Sequence, residues 1–103
     1  DLSRRVAPRH AKYHWTMCLE VAEHIPRRME PMLLANIVQH NICGAVVSWA
    51  LPEQRGHAHV NGRKNKYVIR KMRALGYNLD ENMTARRSTA SYAWFRRSLM
   101  VFR

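Results

Sequence analysis

The sequence predicts an α/β fold, a single domain over residues 1–103 whose sheet is mainly parallel with helical crossovers. Two observations carry this. Apolar strand-like runs around residues 13–20 and 42–50 flank a helix-length amphipathic stretch, the sequence form of a strand–helix–strand unit. Each run then leads into a cluster of chemistry-bearing side chains. Glu20, Glu23 and His24 follow the first, and Gln54, His57, His59 and Asn61 follow the second. Ligands of open α/β sheets bind just beyond the carboxyl ends of the strands, so chemistry is expected at these two clusters.

The elements can be justified in order. Residues 1–12 are polar and basic, with Pro8 among them, and read as a loop or linker. Residues 13–20 suit a strand buried on both faces. Pro31 fits the first turn of a helix that has Glu30 near its start. Met29, Leu33, Leu34, Ile37, Val38 and His40 then recur at helical spacing as a core stripe, which Asn41 and Gly44 end. Ile42 to Ala50 is the second strand, closed by Pro52, and residues 52–62 form a polar loop with Gly56 and Gly62. A second helix runs from Arg63 to Leu75 with Val68, Met72 and Leu75 inward, and Gly76 stands at its C-terminus. Tyr77–Leu79 reads as a short strand, and Asp80 and Glu81 suit the start of a third helix. Phe95–Phe102 reads as a terminal strand, giving the order β-α-β-α-β-α-β over residues 13–103.

Composition narrows the class. At 47% hydrophobic residues, with three Trp and four Tyr, the chain is not of the disordered type. A chain of 103 residues buries roughly two-thirds of its unfolded surface, enough for a modest core. No apolar run approaches the ~20 residues of a membrane span, and no signal peptide is visible. Because it begins with Asp, the chain reads as processed or cut from something longer. The net charge of +11 predicts affinity for phosphate backbones or anionic surfaces. The basic residues, however, are spread along the chain, and the Arg63–Arg73 face reads as a solvated helix face. Cys18 and Cys43 lack CxxC spacing and read as reduced, buried thiols of an intracellular, cytoplasmic protein. No metal is expected, because the His57-x-His59 pair has no further ligand at supporting spacing. The absence of a Ser-His-Asp order, a P-loop or a dinucleotide glycine motif sets aside hydrolase and nucleotide-binding readings.

From residue type and position, Glu23 or His24 could orient or deprotonate a nucleophile. Equally, Glu23 could cap the next helix and His24 could be a satisfied polar residue. Trp15 and Trp49 read as core or pocket wall.

The stretch Met17–Pro26 resembles the fourth-strand motif of class I S-adenosylmethionine-dependent methyltransferases. The strand Gly44–Pro52, the loop Gly56–Asn61, Asn65–Ile69 and the closing Trp94–Phe102 are similar to the rest of one methyltransferase-like family. The resemblance spans nearly the whole chain but only the C-terminal half of that fold, a partial Rossmann-like sheet with a terminal antiparallel strand. It implies S-adenosylmethionine as cofactor, with Asp1 and Leu2 on the adenine side. It further implies that Glu20, Glu23 and His24 border the transferred methyl, and that Gln54, His57, His59 and Asn61 face an unknown methyl acceptor. The family's glycine-rich cofactor loop is absent from this chain, so the isolated chain is expected to be inactive. Without the family's first strand, residues 13–20 are expected to leave an unpaired apolar edge open to self-association. Two other readings compete: a small basic nucleic-acid-binding module, and a non-enzymatic remnant that assembles with a partner.

Overall fold

A computed structural model of the chain describes residues 2–6 and 12–103. Three strands form one mixed sheet in the order β1 (Tyr13–Cys18), β2 (Asn41–Ser48), β3 (Leu99–Phe102). β1 and β2 are parallel, and β3 lies antiparallel to β2. The expected mainly parallel sheet is thus corrected to a sheet with one parallel pair. Helices α1 (Glu30–Gln39), α2 (Asn65–Ala74), α3 (Glu81–Ala85) and the single turn α4 (Phe95–Ser98) complete the architecture. α1 crosses from β1 to β2, as the sequence pattern requires.

Register divides the sheet into two faces. Cys18, Val47 and Met100 line up across it, as do Thr16, Ala45 and Phe102. These rows enter the core and join Leu33, Leu34 and Ile37 of α1 and Val68 and Met72 of α2 in one buried cluster. Each large apolar side chain fully buried there contributes about 1.5–3 kcal/mol. The opposite face carries Trp15 beside Gly44 and Met17 beside Val46. A Cβ at Gly44 would fall 2.1 Å from the Phe102 carbonyl oxygen and 2.7 Å from the Trp15 ring, so only glycine lets these two lie against β2.

Several expectations are corrected. β1 is the edge strand that was expected, but it is not buried on both faces: Tyr13 and Met17 are 66% and 69% exposed, because among the described residues no strand pairs with its free side. Cys43 is exposed, since the register shifts between Tyr13 and Trp15 and breaks the alternation of β2 there. Residues 95–98 wind into α4, so the terminal strand is confined to Leu99–Phe102. Tyr77–Leu79 reduces to one antiparallel bridge, Leu79 with Phe102. Leu75 lies past the end of α2 and is exposed. Residues 2–6 are no free linker. The buried Asn36 amide donates to the carbonyls of Leu2 and Arg4 and accepts from Val6 N, and Gln39 donates to the Val6 carbonyl.

Asp80 caps α3 through its side chain, which accepts from Met83 N at 2.9 Å. Among the described residues, no helix is long and apolar enough to cross a membrane.

Candidate functional site

The site is assembled where the two parallel strands end. Past Cys18 the backbone turns at Glu20, which takes the positive φ of 55°. Its amide donates to Ser48 Oγ at 2.8 Å, and the Ser48 hydroxyl donates back to Glu20 Oε1 at 2.9 Å. Ser48 is the buried last residue of β2, so this reciprocal pair ties the carboxyl ends of β1 and β2 together. A 3-10 turn over Ala22–His24 then turns Glu23 inward and leaves His24 exposed.

The loop after β2 closes over this turn. Gln54 shapes its start, its side-chain oxygen accepting from Leu51 N at 3.2 Å and its backbone N–H donating to the Leu51 carbonyl at 2.9 Å. The amides of Val60 and Asn61 both donate to the Glu23 carbonyl at 2.9 Å, and the Trp49 indole N–H donates to the Asn61 carbonyl at 2.6 Å. His59 is thereby carried to His24, with ring centroids 5.0 Å apart and nearly perpendicular. One ligand-type atom from each of Glu23, His24 and His59 lies within 4.8 Å of the others.

The chemical state of these groups follows from their neighbours. His24 Nδ1 faces the Ala58 carbonyl at 3.2 Å, and His59 Nδ1 faces the Gln54 carbonyl at 2.9 Å. A carbonyl only accepts, so each imidazole holds its proton on Nδ1 and, when neutral, leaves Nε2 as a bare acceptor. The Glu23 carboxylate is fully buried, and neither of its oxygens has a hydrogen-bond partner among the described residues. Burial pushes its pKa up, and the Glu20 charge adds to this; its own backbone amide and the two imidazoles oppose the shift without cancelling it. Burial, with the nearby Glu23 charge, also pushes the Cys18 thiol up to about 11, so Cys18 is no thiolate nucleophile at neutral pH.

Of the residues singled out from sequence, Glu20, Glu23, His24 and His59 come together. Gln54 contributes through its turn and its carbonyl, and His57 is exposed. Asn61 departs from the expectation that it faces a substrate: it is buried, and its amide donates to Glu30 Oε2 at 3.2 Å. Glu23 does not cap a helix. Leu2 packs on the core and lines a separate cavity of about 300 Å³ with Trp15, Met17 and Ile37. Asp1 lies outside the described residues. Ser48 was not legible as a site residue, although its place at a strand's carboxyl end was a signal, and Glu30 was legible only as the start of α1.

Comparison with protein-family models, with curated proteins and with solved structures returns no match for this chain. The reading of the site therefore rests on its residues. The cavity beside Leu2 is lined by Trp15, Met17 and Ile37 together with Thr16, Asn36 and His40. Among the described residues lining it there is no carboxylate for ribose hydroxyls, so it does not fit a whole S-adenosylmethionine.

Proposed function

We propose that the chain forms the acceptor-side, C-terminal part of an S-adenosylmethionine-dependent methyltransferase domain. The observation that carries the proposal is the convergence of Glu20, Glu23, His24 and His59 at the carboxyl ends of a parallel strand pair. Support also comes from the sheet. A parallel pair joined by a helical crossover and closed by an antiparallel terminal strand is what the sequence resemblance implies.

In this reading the residues of this chain position the acceptor and handle its proton. The bare Nε2 of His24, at the exposed rim, accepts a hydrogen bond from an acceptor hydroxyl or amine. That Nε2 then takes the proton as the positioned base, and the Glu23 carboxylate in the same cluster offsets the charge of the imidazolium that results. The Glu20–Ser48 pair fixes the strand ends that hold both. Alignment of acceptor and methyl supplies most of the rate and a positioned base on the order of 10²–10⁴-fold.

The test is titration calorimetry of S-adenosylhomocysteine into a polypeptide that joins this chain to the sequence preceding it in its reading frame. Binding by that polypeptide, with no methyl transfer by the 103-residue chain alone, is expected. No binding by the extended polypeptide overturns the reading, and transfer by the short chain overturns the division of labour within it.

A second observation favours an anionic acceptor or partner. Arg63, Lys64, Lys66 and Arg70 surround Tyr67 in a cavity of about 520 Å³. The Tyr67 ring already has Arg63, Arg70 and Lys71 within 4.5, 5.6 and 5.5 Å, and its hydroxyl is tied to Glu30. A nucleic-acid base would have to displace those cations to stack, so the concavity suits phosphate contact better than base stacking. Steep salt dependence of RNA binding, lost in Lys66→Ala/Arg70→Ala, is the expected signature.

A further inference from the structure

We propose that Glu23, His24 and His59 form a binding site for a divalent transition-metal ion of the zinc class. Two imidazoles and one carboxylate are a donor set that zinc takes readily, and three protein ligands leave the fourth position open, as in sites where the metal meets a substrate. The site does not need the methyltransferase reading, but it uses the same side chains, and an ion bound there would take the place of the proton-handling role given to His24 and Glu23.

Three observations converge. First, both imidazoles are already oriented as metal-bound histidines are. Their Nδ1–H groups are held by backbone carbonyls, of Ala58 and Gln54, and Nε2 is left free to coordinate. Second, Gly56 lets the His59 ring sit flat against the loop backbone. A Cβ there would fall 2.3, 2.5 and 2.8 Å from His59 Nε2, Cε1 and Cδ2, so any other residue would push the ring out of its place in the cluster. Third, the Glu23 carboxylate is fully buried and unpartnered among the described residues, and it lies within the same cluster. Buried carboxylates are ordinarily paired or bound to a metal, and a cation at this point supplies the missing partner.

The geometry is within reach. Ligand atoms of a tetrahedral zinc site stand roughly 3.3 Å apart, given bonds of about 2.0–2.2 Å. One ligand-type atom of each residue already lies within 4.8 Å of the others, and His24 stands at the exposed rim, where a small turn of the ring would close the remainder. Cys18 and Cys43 take no part: burial keeps the first protonated, and the second is exposed on β2 at the register shift beside β1, away from the strands' carboxyl ends.

The test uses the tag-free, chelator-stripped full chain, with Zn²⁺ in calorimetry and Co²⁺ in absorption spectroscopy. One equivalent of Zn²⁺ is expected to bind at micromolar affinity or tighter. Glu23→Gln and His59→Ala should each weaken binding at least about tenfold, and His57→Ala should leave it unchanged. Bound Co²⁺ should give tetrahedral nitrogen–oxygen absorption without a thiolate charge-transfer band. Where a variant fails to fold, imidazole ¹⁵N NMR of the wild-type chain decides, with Zn²⁺ moving the Nε2 resonances of His24 and His59. Absence of stoichiometric binding, binding untouched by His59→Ala, a thiolate band, or shifts confined to other histidines each overturn the proposal.

Discussion

Two buried glutamates seven positions apart meet opposite fates. Glu30, at the start of α1, accepts from Asn61, from Arg63 and, at 2.5 Å, from the Tyr67 hydroxyl. Burial pushes its pKa up, but the hydrogen bonds from Tyr67, Asn61 and Arg63 outweigh it, and the carboxyl is held below its ordinary range. Glu23 is buried as deeply, neither of its carboxylate oxygens accepts a hydrogen bond of ordinary geometry among the described residues, and its own backbone amide does not offset the burial, so its shift runs upward. The difference separates a carboxylate that the fold completes, fastening α1 to the segment 61–67, from one whose oxygens have no hydrogen-bond partner among the described residues.

The largest expected effect breaks the completed member. Glu30→Ala strands the Arg63 guanidinium and the Tyr67 and Asn61 donors, and should cost about 3 kcal/mol in urea denaturation. A cost under about 1 kcal/mol would make Glu30 dispensable. The same cluster sets an acid limb. Because the folded-state pKa of Glu30 is depressed, its contribution is fully present above the ordinary value of 4.5 and is lost as pH falls through the lowered one. Glu30→Gln should flatten that limb of the stability–pH profile.

Glu23→Gln is expected to change stability in the opposite direction. In chelator at neutral pH it should raise stability by about 1 kcal/mol, since a neutral amide is easier to bury than an unpaired carboxylate. Marked destabilisation would mean that Glu23 has a structural partner after all. Gly56→Ala should change stability by less than about 0.5 kcal/mol, because the side chain it meets lies on an exposed loop. It should nevertheless weaken zinc binding. Smallest in stability terms is Met17→Lys on the free edge of β1, near zero by denaturation but expected to suppress any self-association seen by sedimentation.

The strand–helix–strand unit was legible because its apolar periods are unambiguous, and Gln54 and His59 were legible as members of a loop past a strand. Asn61 was misread because a loop asparagine gives no sign that a glutamate 31 residues away will claim its amide. β1 was expected to be buried on both faces because Trp15 and Met17 are apolar, yet a strand's burial depends on neighbours that the strand itself does not encode. The convergence of Glu23 and His59 was invisible for a related reason. Their 36-residue separation is bridged by main-chain bonds, Val60 and Asn61 to the Glu23 carbonyl, which side-chain patterns do not announce.

Position 23 thus works twice, and its two tasks fall on different atoms. Its carbonyl anchors the returning loop, and its side chain joins the cluster with His24 and His59. Any residue type has that carbonyl. A descendant of this chain could exchange the carboxylate for a shorter acid, an imidazole or a thiol and still have the loop return to the same place. Scaffold and reactivity are here separately heritable, so the site can change trade without first being rebuilt.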